Sequence, residues 1–421
     1  MSMQRKQDFD VVVLGAGVIG VTGAYWLARS GKSVCVIERQ PQAALETSFA
    51  NGGQISVSHA EPWANPSSPS KVLKWLFDGE APLLFRPKLD VHQWVWIARF
   101  LIECLPQRTD RNTAEIVKLA LESLARLREI RARENIRYDE RMKGILHFYR
   151  DRRELEHATH AAELMRKHGC DLRVVDADEV VKIEPAFEDN RREIVGATYA
   201  AADESGDAKK FTQALAAVCE RMGVAFLYDA QVVALEADAS SVRSIELRTP
   251  QGYESIKARD VIVSLGSYSA PFLRPYGVSL AVYPAKGYSV TIPFNGANHA
   301  PVVSLTDDQY KLVYSNLGDR LRVAGTAELS GYDLSLNLAR CQAILRNAKA
   351  LFPRAGKFEE AKFWTGLRPA TPSNIPYVGR TRRYQNLWTN TGHGTLGWTL
   401  AAGSGKRIAD MIGGHGGPVV A

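Results

Sequence analysis

The sequence predicts an α/β fold, α+β overall, in which a discontinuous unit built on a parallel sheet carries a second, mainly antiparallel β unit. Three observations predict it. A strand–helix–strand pattern opens the chain at residues 9–39. Strand and helix patterns of the same kind return around 209–266 and close the chain after 386, and the stretches between them are β-rich and alternating. The 421 residues are enough for two domains. With 45% apolar and 24% charged residues, such a chain buries a large core without covalent staples. Cys35, Cys104, Cys170, Cys219 and Cys341 are odd in number and never spaced as CxxC, so they read as reduced thiols with no structural metal.

Phe9 to Leu14 is the first strand, and Gly15, Gly17 and Gly20 follow it as GxGxxG. Val21 to Ser30 is helical, Gly31 ends the helix, and Ser33 to Ile37 is the second strand. Glu38 closes that strand, 18 positions after Gly20. Each part has a task in holding a dinucleotide: Gly15 for the tight turn, Gly17 for approach of the pyrophosphate to the backbone, Gly20 for close packing of helix on strand. Val18 and Ile19 lie between the glycines at the helix N-terminus, whose free N–H groups attract phosphate. Glu38 suits ribose hydroxyls and repels a 2′-phosphate, which disfavours NADP. The apolar stretch Val11 to Leu27 superficially resembles a signal peptide, but Asp8, Asp10 and the spaced glycines argue otherwise. No other apolar run approaches the roughly 18 residues of a membrane span.

Residues 46–56, ETSFANGGQIS, suit a loop pressed against a second part of the same ligand. Residues 61–105 hold Trp63, Trp75, Trp94 and Trp96, half of the eight tryptophans. Core packing of the second unit explains them. A surface meeting a membrane or a quinone is the sharper reading, because Lys71, Lys74, Arg86, Lys88 and Arg99 are interleaved. The net charge is +7, yet no run of five or more Lys/Arg occurs, so nucleic acid is not expected. Helices are expected over 113–134, 154–168, 209–222 and 334–350. Strands are expected over 140–150, 194–201, 225–236, 241–247, 255–258, 260–265, 282–293, 310–316 and 320–326.

Near the C-terminus a strand at 386–389 runs into NTGHGTLGWTLAAGSG, a glycine-rich turn opening a helix from about Gly397 to Met411. This aims N–H groups at an electron-rich ligand atom, and the pyrimidine edge of a flavin is such a target. Gly394, Thr395, Leu396 and Thr399 are placed to supply donors. The turn therefore decides for FAD where the opening glycines leave FAD and NAD open, and it makes the discontinuous unit a Rossmann-like FAD-binding domain. Arg368, in GLRP, suits a bidentate grip on a carboxylate, with a structural salt bridge as the bland alternative. His393 reads as a histidine bonding backbone in a tight turn rather than a general base. There is no GxSxG, HExxH, P-loop or His/Cys cluster.

The segments VVVLGAGVIG, ALETSFANGGQIS, PWANP, the Lys71–Phe77 run, YPAKGYSVTIP, FWTGLRPATPSNIPYVG and NTGHGTLGWTLAAGSG together resemble the flavin-bearing small subunit of bacterial D-amino acid dehydrogenases. More distantly, the chain resembles the D-amino acid oxidase-like superfamily. The resemblance implies that Gly15, Gly17, Gly20, Glu38 and Arg39 hold the ADP half of a non-covalent FAD. It puts Thr47, Ser48, Asn51, Gly52, Gly53 and Gln54 near the pyrophosphate and flavin, with Val232 and Gly266 also at the cofactor. Arg368 would hold the substrate carboxylate, assisted by a tyrosine among Tyr283, Tyr288, Tyr310 and Tyr314. The implied reaction is oxidative deamination of a D-amino acid to a 2-oxo acid and ammonia, by hydride transfer from Cα to flavin N5. The implied acceptor is a quinone or respiratory chain, reached from the cytoplasm by peripheral contact with the inner membrane. A cyclic imino acid (D-proline or hydroxy-D-proline) or glycine/sarcosine are alternative substrates. A non-catalytic flavoprotein subunit is an alternative of another class, and Arg368 argues against it. The expected division is 1–62, 208–275 and 363–421 for the FAD-binding domain, and 63–207 and 276–362 for the substrate domain.

Overall fold

The computed structural model describes residues 8–75, 81–294, 299–415 and 417–420. Phe77, part of the tryptophan-rich run, lies outside them, as do the side chains of Lys74 and Trp75. Two large sheets organise the chain. In the first, Asp8–Leu14 lies between Val34–Ile37 and Gly252–Val263, parallel to both. Ala225–Leu227 extends it parallel on one side and Leu387–Thr391 on the other, and Tyr377–Thr381 adds an antiparallel strand. The central strands are buried apolar runs, as a sheet covered on both faces requires. Helices Val18–Arg29, Ala208–Arg221 and Gly397–Asp410 pack together in one core.

The second sheet runs in the order Lys362–Ala370, Tyr283–Pro293, Arg320–Leu329, Leu312–Asn316, Ser304–Asp307, Ile145–Tyr149, Gly196–Ala200, Arg173–Asp176. It is mainly antiparallel, and its outer face packs on the helix Leu338–Leu351. A two-stranded ladder, Gln54–Ile55 with Glu204–Ser205, joins the glycine loop to the second unit.

Several boundaries differ from expectation for physical reasons. The helix expected from 113 starts at Pro106, because proline at the first helical position wastes no N–H. The two short strands expected at 255–258 and 260–265 are one strand, Gly252–Val263: its first half forms a hairpin with Val242–Thr249 and its second half joins the parallel sheet. The helix expected from 334 begins only at Leu338, where the Asn337 side chain caps it by accepting from Arg340 N. The segment 363–370, expected with the parallel-sheet unit, pairs along its length with Tyr283–Pro293 in the antiparallel sheet. That pairing carries Arg368 across to the second sheet. No described helix is long and apolar enough to cross a membrane.

Candidate active site

A cavity of about 1040 Å³ runs from the first βαβ turn to the antiparallel sheet. One end is lined by Gly15, Gly17, Val18, Ile19, Glu38 and Arg39, with Val232 and Gly266 beside them. Glu38 Oε2 accepts from Ala16 N at 2.8 Å and Oε1 from Gln40 N at 2.9 Å, which fixes the carboxylate at the tip of its strand. Burial raises its pKa above the ordinary carboxylate value, and the two N–H groups oppose that rise. Arg39 pairs with Glu46 and lies 4.2 Å over the Tyr268 ring. Gly20 does not line the cavity. A Cβ there would stand 1.9 Å from Gly15 O, so its lack of a side chain is what lets the helix seat on the turn.

The middle is the 47–54 loop. Thr47 Oγ1 donates to Leu367 O at 2.9 Å, and Ser48 Oγ accepts from Val18 N at 3.1 Å. Asn51 Oδ1 accepts from Gly53 N, and Ser315 Oγ donates to Gly52 O. Gln54 Nε2 reaches Ser304, Leu305 and Thr306 on the second sheet. The loop is therefore tied to both units while its residues face the cavity.

Beyond it stand Gly394, Thr395, Leu396 and Thr399, at the start of the helix Gly397–Asp410. Neither this helix nor Val18–Arg29 has an acidic residue in its first turn or a hydrogen bond from its own N-cap side chain, and at Val18–Arg29 only the first N–H is taken, by Ser48, so both positive ends favour an anionic ligand. Thr399 Oγ1 accepts from Ser56 N at 3.0 Å and keeps its own proton to donate. Asn390 and Ser264 are among the cavity residues, and the side-chain amide of the first and the hydroxyl of the second are buried without hydrogen-bond partners among the described residues. An elongated space with anion-favouring helix ends and unsatisfied polar groups fits FAD. His393 does not bond backbone as expected: its Nε2 lies 3.0 Å from Ser404 Oγ. Burial lowers its pKa to about 3, which keeps it neutral.

The far wall is the antiparallel sheet. Arg368 crosses Gly287, where a Cβ would meet its Cζ at 2.3 Å. Nη1 donates to Thr326 O at 2.7 Å and Nη2 to Gly325 O at 3.4 Å. Among the described residues no carboxylate lies within ion-pair distance of it, which removes the salt-bridge alternative. Burial alone lowers its pKa to about 10, so it remains a cation at neutral pH.

The tyrosine expectations need correction. Tyr314 lies in the core behind the sheet, because strand alternation turns Val313 toward the cavity and Tyr314 away. Tyr310, in the turn before that strand, is exposed and sits under Arg150. Tyr283 packs with Trp96 and Leu329, outside the cavity. Tyr288 lines the cavity, but its hydroxyl donates to Glu328 Oε2 at 2.7 Å. Sequence reasoning missed Gly287, Thr326 and a polar lobe where His147 Nε2 stands 3.3 Å from Asp308. These come from separate strands, and no local pattern announces them.

The FAD dependent oxidoreductase family model matches residues 10–411. A D-amino acid dehydrogenase of Dechloromonas aromatica is 53% identical over 406 residues, 96% of this chain and 97% of the relative. One from Paramagnetospirillum magneticum is 49% identical over 406 residues, 96% of this chain and 95% of the relative. Among solved structures, glycine oxidase from Bacillus cereus superposes with a TM-score of 0.71 at 23% identity, over 96% of this chain and 97% of that one. L-proline dehydrogenase from P. horikoshii gives 0.74 at 16%, over 97% and 94%. Those two share the fold. The match runs along nearly the whole sequence, and the chain belongs to the FAD-dependent oxidoreductases, alongside the bacterial D-amino acid dehydrogenases.

Proposed function

We propose that this chain oxidises D-amino acids to 2-oxo acids and ammonia and passes the electrons to a quinone or another respiratory acceptor. One observation carries the substrate class: Arg368 is a part-buried cation on the cavity wall with two N–H groups on backbone carbonyls and, among the described residues, no carboxylate within ion-pair distance. A guanidinium has five N–H donors, so it keeps enough for a bidentate carboxylate. The D preference rests on relatives of this name at 49 and 53% identity. In this reading the parallel-sheet unit holds the cofactor and the antiparallel sheet presents the substrate to it. Bound FAD supplies the two-electron oxidant for the Cα–H bond. Arg368 orients the substrate through its carboxylate, and the Gly397–Asp410 helix end favours the negative charge that reduction places nearby. The imino acid leaves and is hydrolysed in water. Anaerobic mixing of the holoenzyme with paired D- and L-amino acids should bleach the flavin with the D forms only. Faster bleaching by sarcosine or hydroxy-D-proline would overturn the assignment.

The same reading includes peripheral contact with an anionic lipid surface. The helix Val91–Glu103 turns Gln93 and Trp96 inward and leaves Val91, Trp94, Val95, Leu101 and Ile102 exposed, flanked by Leu89 and Leu105. Lys88 and Arg99 stand exposed on this face, whereas Asp90 caps the helix and Glu103 pairs with Arg108. Leu334 and Leu336, also exposed, line the cavity together with Phe100, so an apolar rim borders its opening. This is the pattern of an interfacial helix. The protein should sediment with phosphatidylglycerol vesicles, and Trp94→Glu with Leu101→Glu should weaken that binding at least tenfold while leaving FAD content unchanged. Equal sedimentation of the double variant would remove the contact.

A further inference from the structure

Thr326 has a backbone that threonine rarely adopts. Its φ is 52°, in the left-handed region, where a β-branched side chain is strained. The cause lies in the strand pairing. Between Tyr288↔Gly325 and Lys286↔Glu328, the strand Arg320–Leu329 advances three residues while Tyr283–Pro293 advances two. The extra residue makes a β-bulge, and a left-handed first residue in such a bulge is normally glycine. Here the bulge turns the carbonyls of Gly325 and Thr326 onto the Arg368 guanidinium. It also leaves Thr326 Oγ1 buried, without a hydrogen-bond partner, on a residue that lines the cavity. A glycine would relieve the strain and still present its carbonyl, so aiming the arginine does not by itself call for a side chain here. A buried hydroxyl without a partner is costly unless a ligand satisfies it.

We propose that Thr326 is the second substrate-gripping residue: its hydroxyl donates to the carboxylate held by Arg368, while its carbonyl aims the guanidinium. This rests on the assignment of Arg368 to the substrate carboxylate. It gives the assisting role to a threonine next to the arginine, where Tyr288 has its hydroxyl engaged and Tyr310 and Tyr314 point elsewhere.

The test uses the FAD-loaded enzyme, with D-alanine as substrate and propionate, which lacks the reacting amine, as a probe titrated by its perturbation of flavin absorbance. Thr326→Val keeps the shape and removes the hydroxyl. It should raise Kd for propionate and KM for D-alanine about tenfold, one neutral-to-charged hydrogen bond, with kcat changed less than twofold. Thr326→Gly, which the left-handed backbone accepts without strain, should show the same loss. Thr326→Ser, which restores the hydroxyl, should stay within about twofold of the parent on the same reasoning. Unchanged propionate binding in the Val and Gly variants, or a Ser variant as weak as Val, overturns the proposal. The Arg368→Ala enzyme is titrated in parallel. If it still binds propionate normally, the arginine assignment itself fails. If it loses propionate while Thr326→Val keeps it, only the threonine assignment fails.

Discussion

Arg368→Ala should raise KM for D-amino acids by roughly 10²–10⁴-fold while leaving the turnover of simple amines nearly unchanged. Charge-assisted hydrogen bonds are worth about 1.5–3 kcal/mol each, and a bidentate grip has two of them. The size follows from the surroundings. The guanidinium is part-buried on the cavity wall, its pKa is lowered to about 10 by desolvation, and among the described residues the carbonyls of Gly325 and Thr326 receive it. A cation in that state loses hydration on folding and regains an anionic partner only when a carboxylate arrives. The same variant should therefore fold at least as stably as the parent, because it removes a desolvated charge that no carboxylate among the described residues offsets. Arg368→Lys keeps the charge but not the planar fork, and should fall between the two. Steady-state kinetics with D-alanine and an alkylamine of similar size, together with thermal melts, check both signs. Equal losses on amino acid and amine would mean the arginine does not read the carboxylate. A large drop in melting temperature would mean it acts as a structural pin.

Gly20→Ala should abolish FAD retention. The added Cβ would stand 1.9 Å from Gly15 O and 3.4 Å from Val13 Cγ1, and the nearest of these is backbone that cannot swing aside. Either the helix Val18–Arg29 lifts from the sheet or the Gly15 turn opens, and both displace the N–H groups that face the cofactor. Overpacking in a well-packed interior costs about 1–3 kcal/mol or more, so the protein should also lose stability. Gly31→Ala is the matched control. Gly31 has a positive φ, 82°, which Gly20 lacks, but nothing lies within 4 Å of the added atom. Its cost is about 1–2 kcal/mol of backbone strain, with flavin kept. Flavin absorbance per protein, measured after purification, separates the two. A yellow Gly20→Ala protein would show that close packing at this turn does not govern cofactor binding.

What could be read from the sequence was short-range. Gly15, Gly17, Gly20 and Glu38 lie within one strand–helix–strand unit, so local propensity, glycine spacing and the closing acid suffice to place Gly15, Gly17 and Glu38 on one cavity wall, with Gly20 packed behind the turn. Gly394 to Thr399 were legible for the same reason, since a turn opening a helix is a local event. The carboxylate role of Arg368 came from its motif, but its sheet did not: pairing of Lys362–Ala370 with Tyr283–Pro293 joins segments some eighty residues apart, and this moved the arginine into the antiparallel sheet. Tertiary structure also chose among the tyrosines. The alternation of Leu312–Asn316 sends Val313 to the cavity and Tyr314 to the core, a phase set by which face of the sheet is buried. The bulge at Thr326 depends on the register between two strands, and the bare outer face of Val91–Glu103 depends on what fails to pack against it. Spacing within a segment determined the cofactor wall. Register and burial, which exist only once distant segments meet, decided which side chains face the far end of the cavity.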